Sequence, residues 1–135
     1  MVRIEMKYEG DLHCIAVHTP STTQLSTDAP RDNQGKGESF SPTDLVATAL
    51  GTCILTTMGI LARTLSLNVD GATATVEKEM TSTAPRMIAS LATVITMPGG
   101  FDELTQQKLE RAAHTCPVHR SLHPDVNAPI IFVWQ

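Results

Sequence analysis

Two of the three cysteines stand in settings that suit thiol chemistry: Cys53, inside a long uncharged run, and Cys116, directly before proline in Thr115-Cys116-Pro117-Val118-His119. A thiol reacts as its thiolate, and a free cysteine, with a pKa of about 8.5, ionises near neutral pH only beside a positive charge or the amides of a helix start. Cys116 has a route to such help. Proline disfavours the helical conformation in the residue before it, so Pro117 can open a new short turn whose amides face the sulfur, with His114, His119 and Arg120 close in sequence. Cys53 has no such local support, because burial within an apolar helix raises a thiol pKa. A cation from the polar loop bearing Arg31, Asp32, Lys36 and Glu38 is the expected supplier. If the fold brings the two cysteines together, one thiol could attack an oxidant and the other could resolve the product as a disulfide. The plainer alternative for each is packing as a small hydrophobe.

Other residues carry weaker signals. Cys14 lies in an alternating stretch with no helix end or charge cluster beside it and reads as structural. His114, Cys116, His119 and His123 make zinc the main rival to redox chemistry, but no second Cys or His pair completes a four-ligand set in that segment. No metal and no cofactor is therefore expected. Asp44 reads as a helix-start residue, since Ser41-Pro42-Thr43-Asp44 places a capping hydroxyl, a proline and an acid in the order a helix start favours. No Ser-His-Asp elbow, phosphate-cradling loop or dinucleotide fingerprint occurs.

The elements that must position the sulfurs follow from periodicity. Val2, Ile4, Met6 and Tyr8 alternate with charged residues, Gly10-Asp11 supplies a turn, and Cys14, Ala16 and His18 return, which predicts a hairpin. A third short strand is expected around Thr23 to Ser26, followed by an exposed loop to Ser39. A helix from Pro42 to about Leu65 is small or apolar almost all round, so it should be buried on most sides, with Gly51 and Gly59 allowing close approach. Two further strands, Ala72 to Glu77 and Met87 to Met97, should pair antiparallel. Asp102 can cap a second helix carrying Leu109, Ala112, Ala113 and Cys116 inward, and Ile130 to Trp134 reads as a final strand. Strands, buried helix, strands, amphipathic helix and strand make an α+β, two-layer arrangement with an antiparallel sheet in a single domain over residues 1–135. A helix apolar on every side needs more cover than one small sheet provides, which points to a homodimer.

Bulk properties exclude several partners. Ten Lys and Arg against fourteen Asp and Glu give a net charge of −4, and the cations are scattered, which argues against nucleic acid and anionic membranes. Leu45 to Ala62 approaches the length of a membrane span, about 20 residues, but its threonines and glycines dilute it and the flanking segments need it as a core. The N-terminal alternation of charge lacks a signal-peptide core, so a cytoplasmic location is expected.

Phe40-Ser41-Pro42-Thr43-Asp44-Leu45 with Ala49-Leu50-Gly51-Thr52-Cys53, and later Ala112-Ala113-His114-Thr115-Cys116-Pro117-Val118, resemble the two signature blocks of the OsmC-like proteins, relatives of the osmotically inducible and organic hydroperoxide resistance proteins. The resemblance implies an intertwined homodimer with two central helices and an active site at the subunit interface. It implies a thiol peroxidase acting on small-molecule hydroperoxides, with Cys53 attacking, Cys116 resolving and a dithiol reductant resetting the pair. One departure stands out: active members carry a glutamate directly after the helix-start proline and an arginine on an early strand. Here Thr43 follows Pro42, and Asp11 to Thr19 contains no arginine. The sequence thus resembles a divergent branch, for which redox sensing or small-ligand binding without efficient turnover is the alternative function.

Overall fold

The alternating N-terminal residues do form strands. A computed structural model describes all residues 1–135, and the chain divides into two compact units, Met1–Val46 and Ala47–Gln135. In the first, β1 (Ile4–Gly10), β2 (His13–His18) and β3 (Thr23–Asp28) make an antiparallel sheet in that order. The hairpin turn falls at Asp11 and Leu12, both with positive φ (54° and 59°), one residue beyond the predicted Gly10-Asp11. A two-residue hairpin of type I′ needs left-handed residues at both central positions. Register pairs Met6 with Ala16 and Tyr8 with Cys14, and Ala16 in turn with Leu25, so these side chains share one face. Ile4, Met6, Tyr8 and Leu25 on that face are exposed.

The loop after β3 is tied down by polar contacts. The buried Asp28 carboxylate meets His13 Nδ1 at 2.6 Å through Oδ1 and accepts the Glu38 amide at 3.1 Å through Oδ2. Helix α1 (Pro42–Thr64) then starts as its residues demand: Ser41 Oγ accepts the Asp44 amide at 3.1 Å and Asp44 Oδ2 accepts the Ser41 amide at 2.9 Å. This reciprocal pair satisfies two donors that a helix end would otherwise orphan.

The second unit holds the apolar core. Strands β4 (Thr73–Met80), β5 (Ile88–Met97) and β6 (Ile130–Trp134) form its sheet, with α2 (Glu103–Ala113) and α3 (Pro117–Ser121) between β5 and β6. β4 and β5 pair antiparallel, but β6 runs parallel to β5, which corrects the expectation of an antiparallel sheet. Parallel neighbours require a long crossover, and α2 with α3 supplies it. Leu91, Thr93, Ile95 and Met97 alternate along β5 as its buried face; Leu50, Ile54, Met58 and Ala62 of α1 and Leu109 of α2 are buried likewise.

Helix α1 is not covered all round. Its buried residues recur at every fourth position, and so do Thr48, Thr52, Thr56, Ile60 and Thr64 on a stripe that stays exposed. By length and composition the helix could cross a membrane, with a third (33%) of its most apolar window buried. Gly51 has a packing reason, since a Cβ there would lie 3.1 Å from Val76 Cγ2 of β4, whereas Gly59 faces open space. Only the first of the two glycines therefore serves close approach.

Candidate active site

Cys53 lies at the start of the fourth turn of α1 and is half-buried, whereas Cys116 is wholly buried at the start of α3. The chain reaches Cys116 by ending α2 early. The helix stops at Ala113, His114 caps it, and Thr115 Oγ1 turns back to donate to the Ala112 carbonyl at 2.7 Å. Cys116 therefore sits three residues past α2 rather than on its inward face. Its backbone is non-helical, Pro117 occupies the first position of α3, and the sulfur accepts the His119 amide at 3.5 Å. The proline break expected before residue 117 is what turns the sulfur toward these amides.

The two thiols influence each other's ionisation, although 63 residues separate them in the chain. Their environments push them in opposite directions. Burial opposes ionisation of Cys53, but the Cys116 thiol, the Val118 amide and the Thr57 hydroxyl all donate to its sulfur, and together they hold it below the ordinary thiol value. Burial raises Cys116, and donating to Cys53 raises it further, offset only in part by the amides of His119 and Val118. Two interacting thiols share one negative charge. The more exposed sulfur is the one favoured to lose its proton first, and the buried one is favoured to keep it.

None of the three groups that favour the Cys53 thiolate is charged. Arg31, in the N-terminal unit, gives its Nε–H to the Lys36 carbonyl at 3.2 Å. Asp44 is spent on the helix cap described above. Sequence reasoning missed Thr57 and the Val118 amide as partners of Cys53. Thr57 was findable, being one helical turn after Cys53, where side chains four apart meet; the Val118 contact depends on tertiary packing.

The histidines of this region are engaged elsewhere than in a metal site. His119 Nε2 meets the Ala128 carbonyl at 3.1 Å, His114 packs edge-on against His119 and Phe132, and His123 Nδ1 accepts the Asp125 amide at 3.1 Å. No cluster of three ligating side chains forms. Cys14 pairs with Tyr8 and Thr27 in the N-terminal sheet.

Comparison with known proteins shows the family and the fold. Residues 35–129 match the family model described as OsmC-like protein. A crystal structure from Psychrobacter arcticus 273-4, provisionally described as an osmotic stress induced and detoxification response protein, is 44% identical, with 98% of this chain and 96% of that chain covered and a TM-score of 0.92. An organic hydroperoxide resistance protein OsmC from Legionella pneumophila is similar in fold at 17% identity, with 98% and 96% of the two chains covered and a TM-score of 0.74. One from Elizabethkingia anophelis shares the fold at 12% identity, with 100% and 96% covered and a TM-score of 0.80. No curated protein sequence matches. With both signature blocks inside the matched span and the α+β arrangement of two small sheets shared, the chain belongs to the OsmC-like family.

Proposed function

We propose that this protein is a thiol-dependent peroxidase that reduces organic hydroperoxides as a homodimer, with Cys53 attacking and Cys116 resolving. The observation that carries this reading is the asymmetry of the coupled pair: a half-buried sulfur favoured as thiolate and a buried sulfur favoured as thiol. The Cys53 thiolate attacks the outer peroxide oxygen, the O–O bond breaks, and the alkoxide leaves with the electron pair, taking a proton to become the alcohol. Sulfur is oxidised to the sulfenic acid. Cys116 gives up its proton, its sulfur attacks Cys53, the S–S bond forms and the sulfenic oxygen departs as water. A dithiol reductant returns two electrons and two protons. The cytoplasm, where thiols are kept reduced, is the proposed compartment.

The family is associated with organic hydroperoxide resistance, which supports the oxidant class. The test is intact-protein mass spectrometry with peptide mapping after one equivalent of cumene hydroperoxide. The expected product has lost two hydrogens and joins the Cys53 and Cys116 peptides; both thiols unmodified would sink the reading. Cumene hydroperoxide should be consumed faster than hydrogen peroxide, and equal rates would remove the organic preference. The neutral setting of the thiolate favours one alternative, a redox sensor. In that case the bridge forms but peroxide is not turned over with a dithiol present.

A further inference from the structure

We propose that His119 is a positioning residue: its ring pins the α3 turn to the segment before β6 and so holds the turn's amides against both sulfurs. This rests on the redox reading only for its consequence in turnover; the anchoring itself is geometric. The anchor point is rigid. Asn127 to Pro129 is strapped onto β5 by the Asn127 amide to the Ala89 carbonyl (2.9 Å), the Leu91 amide to the Asn127 carbonyl (2.8 Å) and the Thr93 amide to the Pro129 carbonyl (2.9 Å). In an extended segment successive carbonyls point opposite ways. With the Asn127 and Pro129 carbonyls committed to β5, that of Ala128 is turned away from it, and His119 Nε2 takes it at 3.1 Å.

The same residue touches the sulfur site through its backbone. The His119 amide donates to Cys116 Sγ at 3.5 Å, the Arg120 amide donates to the Cys116 carbonyl at 3.0 Å, and the neighbouring Val118 amide favours ionisation of both sulfurs. α3 spans only Pro117–Ser121, too short to keep its orientation by its own hydrogen bonds. An outside tether is what such a turn lacks. His114 holds the ring from a second side, edge-on at a centroid distance of 6.2 Å, and is itself edge-on to Phe132 of β6 at 6.2 Å. The tether needs a proton on Nε2, which one neutral tautomer and the imidazolium both have, so it is a fixed strut and not a pH switch.

The experiment measures the rate of Cys53 alkylation by iodoacetamide against pH, in the absence of peroxide, on the wild-type chain and on His119→Gln, His119→Leu and His119→Ala. A glutamine amide can place a donor near the Nε2 position, whereas leucine keeps bulk without a donor. Leucine and alanine are expected to move the Cys53 titration upward and slow alkylation at neutral pH about threefold or more, as loss of part of a charge-assisted hydrogen bond would. Glutamine should recover most of the wild-type profile. A folded His119→Leu with the wild-type titration overturns the proposal, and so does a glutamine variant no better than leucine. If neither leucine nor alanine folds, the proposal also falls, because positioning presupposes a scaffold that stands without the ring. A titration that responds as expected while peroxide is not consumed leaves the anchor intact and removes only the peroxidase reading.

Discussion

The two units of the chain hold themselves together by different means. Every fully buried apolar side chain lies between Ala47 and Gln135, whereas the buried residues of Met1–Val46 are Asp28 and Ser41, both polar and hydrogen-bonded. Charge follows the same division: the N-terminal unit surrounds His13 with Glu9 and Asp28, while the groups of the second unit that lower Cys53 are neutral. A thiolate supported by amides, a hydroxyl and a second thiol depends on where backbone and side chains are placed. It does not depend on a counter-ion that salt can screen.

The largest effect that would break this comparison is at the nucleophile. Cys53→Ser is expected to abolish peroxide consumption, and Cys116→Ser to leave a sulfenic acid on Cys53 that a dimedone probe captures; the reverse pattern would exchange the two roles. Next comes the core. Leu50→Ala should cost about 2–5 kcal/mol in denaturant unfolding, against about 0.5 kcal/mol or less for the exposed Leu25→Ala. A large loss at Leu25 would report that a second copy covers the N-terminal face.

A third, smaller effect separates neutral from charged support. Thr57→Val removes a donor from the Cys53 sulfur, so its titration should rise and neutral-pH alkylation slow about threefold, with Thr57→Ser restoring it. Raising salt should leave that rate nearly unchanged. Asp28 gives the charged counterpart. Its hydrogen bond to His13 holds the carboxyl below its usual value. The folded state therefore gains stability above the ordinary carboxylate pKa of about 3.9 and loses it as pH falls through the lower folded value. Asp28→Asn should flatten the acid limb of the stability curve, as read by unfolding midpoints across that range. The smallest effect is at Cys14, where Cys14→Ser should leave peroxide consumption and the bridge as they are.

Much of the local structure was legible in the sequence because it is set locally. The Ser41–Asp44 start of α1, the Asp102 cap of α2, which accepts the Thr105 amide at 2.8 Å, and the new turn at Pro117 all appear where residue types placed them. The final strand occupies Ile130–Trp134 as its apolar run indicates. What periodicity could not supply was relation between elements. It does not say that β6 lies parallel to β5, because strand direction is decided by the crossover. Nor could it show the exposed stripe of α1, because threonine and isoleucine read as core on a helix that has no charge between Asp44 and Arg63. The site divides in the same way: the two cysteines are readable from their settings, but that they favour opposite protonation, and that neutral groups lower Cys53, depends on contacts across long stretches of chain.

That open stripe on α1 has hydroxyls which are already answered. Thr52 Oγ1 donates to the Thr48 carbonyl at 2.7 Å, Thr56 Oγ1 to the Thr52 carbonyl at 2.8 Å and Thr64 Oγ1 to the Ile60 carbonyl at 3.1 Å. Each hydroxyl thus folds back onto its own helix. The surface could be dehydrated without stranding a single one of these donors, so this row of threonines would resist drying less than a row of hydroxyls left to water would.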